Sequence, residues 1–130
     1  MRAHHGIGLA AALVAALAIG ALANGTLRAQ TKPPAYVIID ISETKDADAY
    51  MKAVSAAEPN ATTSAGGRFV VRSNRAVALD GTPPNRFVII AFDTDEKARA
   101  WYGSQAIKDV NAARLKTTIS RAFLVEGLTN

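Results

Sequence analysis

Strand-like runs separated by helix-like segments constrain the fold more than any other feature. Tyr36–Ser42 (YVIIDIS) and Arg86–Phe92 (RFVIIAF) are rich in β-branched and aromatic residues, and Arg68–Ser73 and Ile119–Val125 have the same character. A further short run, Ala76–Leu79, is predicted to return from the second of these strands. The order β-α-β-β-α-β predicts an α+β, ferredoxin-like fold, in which an antiparallel sheet carries both helices on one face.

Residues typical of helix starts occur between the predicted strands, at the positions where this order places helices. Asp46 is placed to cap a helix that begins at Ala47. Pro59 and Asn60 are expected to end that helix, and residues 62–67 are interpreted as loop. Asp93, followed three residues later by Glu96, predicts a capping box for the second helical region. Gly103 is expected to interrupt that region.

Strand alternation predicts the content of the sheet face that no helix covers. The predicted open-face residues are Tyr36, Ile38 and Asp40, then Arg68, Val70 and Arg72, then Arg86, Val88, Ile90 and Phe92. In the last strand, Arg121/Phe123/Val125 and Ala122/Leu124/Glu126 both remain open as the exposed set. A face that mixes apolar residues with arginines is expected where two sheets meet around a polar-lined cavity in a dimer.

Residues 1–29 have the features of a secretory signal peptide. A basic start containing Arg2 precedes 17 uncharged residues, 7–23, and small residues allow cleavage after Ala23 or after Ala29. The alternative is an uncleaved anchor, since 17 residues lie at the lower limit of membrane-spanning length. If the segment is uncleaved, contact with a membrane is expected only through residues 7–23.

The remaining chain divides into a spacer, residues 30–34, and a single domain, residues 35–130. An export signal predicts a periplasmic or secreted location. Removing Arg2 and Arg28 from 15 basic residues leaves 13 against 11 acidic ones, a balance that does not favour nucleic-acid binding.

Missing residue types limit the possible chemistry. The chain has no cysteine, and its two histidines, His4 and His5, lie in the predicted signal peptide. A mature chain without either residue lacks the usual serine and cysteine nucleophile machinery, zinc sites built on histidine or cysteine, and histidine-ligated haem. We therefore expect no metal and no cofactor, with any acid–base chemistry left to carboxylates, tyrosine, lysine or arginine.

The chain resembles a known family. The segments that carry the resemblance are AYVIID, GGRFVVR, Leu79–Gly81, RFVIIAF, ARAWYGS and FLVEG, and they occur in the order seen in the domain of unknown function 1330 family. The resemblance covers about residues 35–127. It implies a dimeric α+β barrel, and therefore a homodimer, but no established activity.

Three arginines are the leading candidates for ligand binding. The planar guanidinium groups of Arg68, Arg72 and Arg86 suit a carboxylate or phosphate, and Arg72 is the first to test. The alternative is that they pair with acidic residues across the dimer or reach solvent. The other candidates are Asp40 and Glu126, as acids near a cavity, and Trp101, as an aromatic wall.

These candidates support more than one function. The first expectation is an exported homodimer that binds a small anionic organic molecule in a cavity lined by apolar residues and arginine. The second is a cofactor-independent enzyme, such as an isomerase or a monooxygenase, that uses a buried carboxylate and an arginine. The third is a structural dimer whose sheet face is filled by side chains. Whether the chain is an enzyme stays open at this point.

Overall fold

A computed structural model describes residues 32–58 and 60–129. The predicted signal peptide, together with Gln30 and Thr31 of the predicted spacer, lies outside the described residues. The described part of the chain contains no helix long and apolar enough to cross a membrane.

Four strands and four helices make up the described chain. They are β1 (Ala35–Thr44), α1 (Ala47–Ala57), α2 (Asn60–Ser64), β2 (Arg68–Ser73), β3 (Arg86–Phe92), α3 (Asp95–Tyr102), α4 (Gln105–Thr117) and β4 (Thr118–Glu126). The sheet has the strand order β2-β3-β1-β4, and every neighbouring pair is antiparallel. This arrangement confirms the predicted ferredoxin-like βαββαβ fold.

Side-chain caps mark the start of two helices, α1 and α3. The Asp46 side chain accepts a hydrogen bond from the Ala49 amide at 3.1 Å, as predicted. At α3 the cap is Thr94, whose hydroxyl accepts from the Lys97 amide at 3.2 Å, so the prediction of Asp93 was wrong by one residue. Helix α3 ends at Tyr102, and Gly103 separates it from α4.

A short helix, α2, replaces part of the loop predicted between α1 and β2. It spans Asn60–Ser64 and buries Thr62 completely. Gly67, which follows it, lies so close to the core that a Cβ atom there would come within 2.7 Å of the Thr62 methyl group and 2.8 Å of the Phe92 ring. Glycine at this position therefore lets the backbone enter β2 directly above the core.

The core lies between one face of the sheet and the helices. Val37, Ile39 and Ile41 of β1 are buried there, as the alternation of β1 predicts. Tyr50 of α1 and Trp101 of α3 cover them from the helix side. The indole of Trp101 and the ring of Phe92 have centroids 5.4 Å apart.

The predicted orientation of β3 was wrong. Val88, Ile90 and Phe92 belong to the core and face the helices, whereas Phe87 and Ile89 lie on the open face. The run RFVIIAF is apolar at almost every position, so both possible orientations present apolar residues to the helices. Only pairing with β1 decides between them, because directly opposed residues in an antiparallel pair lie on the same face.

A β-bulge changes the orientation of the second arginine in β2. Phe69 pairs with Ile90, but Val71 pairs with the next residue, Ile89, so Val70 is an extra residue in the ladder. Arg72 therefore points to the helix side, the same side as Phe69, while Arg68 remains on the open face. The expectation that both arginines share the open face was wrong.

The other differences concern one loop and one strand. The predicted short strand Ala76–Leu79 is absent from the described chain, and the segment is exposed, with Leu79 fully accessible. In β4, Ala122 and Leu124 pack against the core, while Arg121 and Phe123 lie on the open face. The pairing thus settles the choice that alternation left open.

Candidate functional site

A small cavity lies between the sheet and the helices. Its volume is about 50 Å³, enough for a few water molecules. Its walls are largely apolar, with side chains such as Ile39, Val88 and Ile107. The polar lining residues are Tyr50, Glu58, Thr62, Arg72, Arg86, Trp101, Asn111 and Arg114.

Three arginines from different elements reach this cavity. Arg114 of α4 is 3% exposed, Arg86 at the start of β3 is half-buried, and Arg72 of β2 is exposed. The guanidinium carbon of Arg72 lies 4.5 Å from the centroid of the Phe69 ring, which fixes its position along the wall. Within residues 32–58 and 60–129, none of the three is within ion-pair distance of a carboxylate.

Arg114 is the most deeply buried of these charges. Its Nη1 donates a hydrogen bond to the Ser120 hydroxyl at 2.6 Å, but its buried Nε has no hydrogen-bond partner. A buried donor without a partner is costly, more so when it belongs to a charged group. Arg114 therefore lines the cavity with a guanidinium group that is not fully hydrogen-bonded.

Tyr50 faces the same arginines. It is 5% exposed, and burial raises the pKa of its phenol above the ordinary value of 10.0, while the charges of Arg86 and Arg114 act in the opposite direction. The phenol therefore stays protonated at neutral pH and is available as a donor. Its oxygen makes no hydrogen bond with any other described residue.

A chain of hydrogen bonds forms another part of the lining. The indole Nε1 of Trp101 donates to the Thr62 hydroxyl at 3.2 Å, and that hydroxyl in turn donates to Oε1 of Glu58. Glu58 is half-buried, and among the described residues it is the only acid that lines the cavity. The cavity thus holds three guanidinium groups against one carboxylate, an excess of positive charge.

The structure brings together three of the residues predicted from sequence. Arg72, Arg86 and Trp101 all line the cavity, although the first two were expected on the opposite face of the sheet. The cavity lies on the helix side of the sheet. Both arginines reach it because the bulge in β2 and the orientation of β3 turn them toward the helices.

The other three predicted residues lie elsewhere. Asp40 is on the open face, where its Oδ2 accepts from Nε of Arg121 at 3.1 Å. Arg68 is exposed at the start of β2 on that same face. Glu126 lines a separate surface recess on the helix side, next to Lys32 and Arg99.

Sequence reasoning missed the contribution of two helices. Arg114 was not among the predicted ligand-binding residues, because it reads as a surface residue or a salt-bridge partner. Ile107, Val110 and Arg114 nevertheless recur with helical spacing, which places them on one face of α4. That spacing was a usable signal. Thr62 gave no comparable signal. It belongs to a short helix, and the polar segment that forms this helix, which ends in two glycines, has the composition of a loop.

Metal chemistry has no obvious place in this site. Among the described residues, no three histidine, cysteine, aspartate or glutamate side chains converge as a metal site would require. The arrangement can instead bind an anion through arginine and tyrosine donors.

Solved structures show the same fold. A protein of unknown function from Rhodopseudomonas palustris is 14% identical, with a TM-score of 0.60 over 83% of this chain and 93% of its own. A "putative antibiotic biosynthesis monooxygenase" from Caulobacter crescentus CB15 is 12% identical, with a TM-score of 0.54 over 76% of this chain and 93% of its own. At these identities the likeness extends to the fold alone.

Sequence comparison identifies the family. No curated protein matches the chain. The family described as Domain of unknown function (DUF1330) matches residues 34–128, which is most of the chain and includes every helix and strand of its described part. The chain therefore belongs to that family, as its sequence segments predict.

Proposed function

We propose that this protein binds a small organic anion in the cavity between its sheet and its helices. The observation that carries the proposal is the set of three guanidinium groups, those of Arg72, Arg86 and Arg114, around one cavity without an ion-paired carboxylate. Bringing like charges together in a partly desolvated space is unfavourable unless an anion compensates for them. An anionic ligand would provide that compensation.

The walls of the cavity favour an organic ligand over a simple inorganic ion. Apolar side chains from the sheet and from α1 and α4, including Ile39, Val54 and Val110, surround the polar groups. Ligand sites commonly combine an apolar lining with a few placed polar groups. The cavity's small volume favours a compact molecule, and exposed Arg72 is where the cavity can open to admit it.

A screen of organic acids by thermal shift tests this function. A ligand present at a hundred times its Kd is expected to add about 2.7 kcal/mol to the free energy of unfolding. The Arg86→Ala variant should lose most of that gain, whereas Arg121→Ala, a matched change on the open face, should retain it. If no organic acid raises the Tm of the natural protein, the proposal fails.

We further propose that the protein is a homodimer formed through the open face of the sheet. That face carries apolar side chains that no helix of the chain covers, including Ile38, Ile89 and Phe123. Phe123 and Val125 are 40% and 38% exposed, and two copies packed face to face would bury them. Asp40 and Arg121 would lie within this interface.

An exported location is proposed from the sequence alone. The basic start, the uncharged run of residues 7–23 and the small residues after it support secretion into the periplasm or beyond. Fractionation of cells, combined with N-terminal sequencing, would test this: cleavage after Ala23 or Ala29 supports it, and a full-length chain in the cytoplasm contradicts it.

One observation favours a second candidate, a cofactor-independent enzyme. Glu58, the one acid among the described lining residues, shares the cavity with three arginines and accepts a hydrogen bond from Thr62. A carboxylate and a phenol in a partly closed cavity are suitable for proton transfer. Turnover of a ligand found in the screen, and its loss in Glu58→Gln without loss of binding, would support catalysis; unchanged ligand after prolonged incubation would exclude it for that compound.

A further inference from the structure

We infer that the group recognised by this cavity is a carboxylate and that Arg114 binds it through the edge of its guanidinium that carries Nε and Nη2. This inference rests on the proposed function, since it assigns the ligand class and the principal binding residue of that same site.

The first step is the geometry of the hydrogen bonds of Arg114. Its Nη1 is taken by the Ser120 hydroxyl at 2.6 Å, while Nε has no partner. Nε and Nη2 form the side edge of the planar group, and their two N–H bonds run parallel. A carboxylate can accept both bonds at once, so the free edge matches the two oxygens of one carboxylate.

The second step is the burial of Arg114. The residue is only 3% exposed, and no carboxylate of the described chain lies within ion-pair distance. A guanidinium removed from water in this way requires a compensating charge or further hydrogen bonds. Ser120 supplies one neutral acceptor, and Glu58, although it lines the same cavity, makes no ion pair with Arg114, so an entering anion would be the direct charge partner of Arg114.

The third step distinguishes a carboxylate from a phosphate. Most of the cavity wall is apolar, so it suits a planar head group that carries a short hydrocarbon better than a tetrahedral ion that has no apolar part. A phosphate dianion would also lose more hydration than a carboxylate on entering such a wall. The phenol of Tyr50, next to Arg86 and Arg114, can donate a third hydrogen bond to the same head group.

The test compares the Kd of acetate, propionate and butyrate with that of inorganic phosphate. Calorimetry on the purified protein measures each Kd, with all anions added as sodium salts at equal ionic strength. Propionate or butyrate is expected to bind at least about tenfold more tightly than phosphate. The reason is that the carboxylate accepts two parallel hydrogen bonds from Arg114 while its hydrocarbon contacts the apolar wall. This comparison needs no variant. Phosphate binding that equals or exceeds that of all three carboxylates would overturn the inference.

The Arg114→Lys variant tests the residue. Lysine keeps the charge but loses the planar fork, so the Kd of the preferred carboxylate should rise about tenfold or more. Arg75→Lys, on the exposed loop between β2 and β3, is the matched control and should bind as the natural protein does. An unchanged Kd in a folded Arg114→Lys protein, checked by its denaturation midpoint, would contradict the assignment.

The failure of this inference is distinguishable from failure of the proposed function. Binding of a larger organic acid with an affinity that does not depend on Arg114 would overturn the inference and leave the proposed function in place. If no organic anion binds, both fail.

Discussion

The indole nitrogen of Trp101 donates a hydrogen bond to the Thr62 hydroxyl at 3.2 Å, across the space between α3 and α2. Both residues are buried, at 4% and 0% exposure, so neither group has water as an alternative partner. Because the Thr62 hydroxyl in turn donates a hydrogen bond to Glu58, the contact links the core of the fold to the one acid among the described residues that line the cavity.

The first prediction concerns this hydrogen bond. Thr62→Val keeps the shape of the side chain but removes the acceptor, so the Trp101 N–H is left buried and unpaired. The free energy of unfolding should fall by about 1–3 kcal/mol. Urea denaturation measures the change. Thr82→Val, in the exposed loop before β3, should shift it by less than about 0.5 kcal/mol, and an equal effect at both positions would contradict the assignment.

The second prediction concerns Gly67. A Cβ atom there would lie 2.7 Å from the Thr62 methyl carbon and 2.8 Å from the Phe92 ring, which are closer than two carbon atoms can approach. Gly67→Ala should therefore destabilise the fold by about 1–3 kcal/mol through overpacking. Thermal denaturation measures the loss.

Gly103 offers the matched control for that substitution. Its φ is −83°, and an added Cβ would come no closer than 3.4 Å to any atom. Gly103→Ala should be neutral or should stabilise the protein by about 0.4–1 kcal/mol, because alanine reduces the entropy of the unfolded chain. Equal losses from the two substitutions would show that packing at Gly67 is not the cause.

The fold could be predicted from the sequence, whereas the position of the candidate site could not. Element order and strand composition predict the βαββαβ fold because runs of β-branched and aromatic residues alternate with helix signals in that order. The direction of Arg72 could not be predicted, since one extra residue, Val70, reverses every side chain that follows it in β2. A bulge of this kind depends on pairing with β3 and has no local signature in the run RFVVR.

The sequence alone also does not determine which side of β3 faces the helices. When both faces of a strand are apolar, alternation carries no information about which one meets the helices. Arg86 was assigned to the open face for that reason, although its opposite neighbour, Ile41, is fully buried on the helix side. The cavity therefore emerges only once the strands are paired, even though three of its residues were already candidates.

The third prediction tests the proposed dimer. Phe123 lies on the open face and is 40% exposed, so Phe123→Lys should be tolerated by the single chain but would place an unpaired charge in the interface. The dissociation constant of the dimer should rise about a hundredfold or more. Light scattering over a range of concentrations measures it.

Leu115→Lys is the control for this change. Leu115 is 67% exposed on α4, on the helix side of the sheet, and the same apolar-to-charged substitution there should leave the dimer intact. A natural protein that is monomeric at all concentrations, or a Phe123→Lys protein that remains as dimeric as the Leu115→Lys protein, would contradict the proposed interface.

The fourth prediction follows from the raised pKa of the Tyr50 phenol. Burial favours the neutral form in the folded protein, so above the ordinary value of 10.0 the folded state binds more protons than the unfolded chain does. Stability is therefore unaffected at neutral pH and falls as the pH rises through 10.0 toward the folded-state pKa. Tyr50→Phe should reduce this alkaline loss, because phenylalanine cannot ionise.

Urea denaturation at about pH 9 and about pH 11 measures the loss of stability. The control is Tyr102→Phe, at a residue that is 40% exposed, and it is expected to keep the pH dependence of the natural protein. An alkaline slope that Tyr50→Phe and Tyr102→Phe leave equally unchanged would mean that the buried phenol does not control stability in this range, and that its neighbours Arg86 and Arg114 offset the cost of burying its charge.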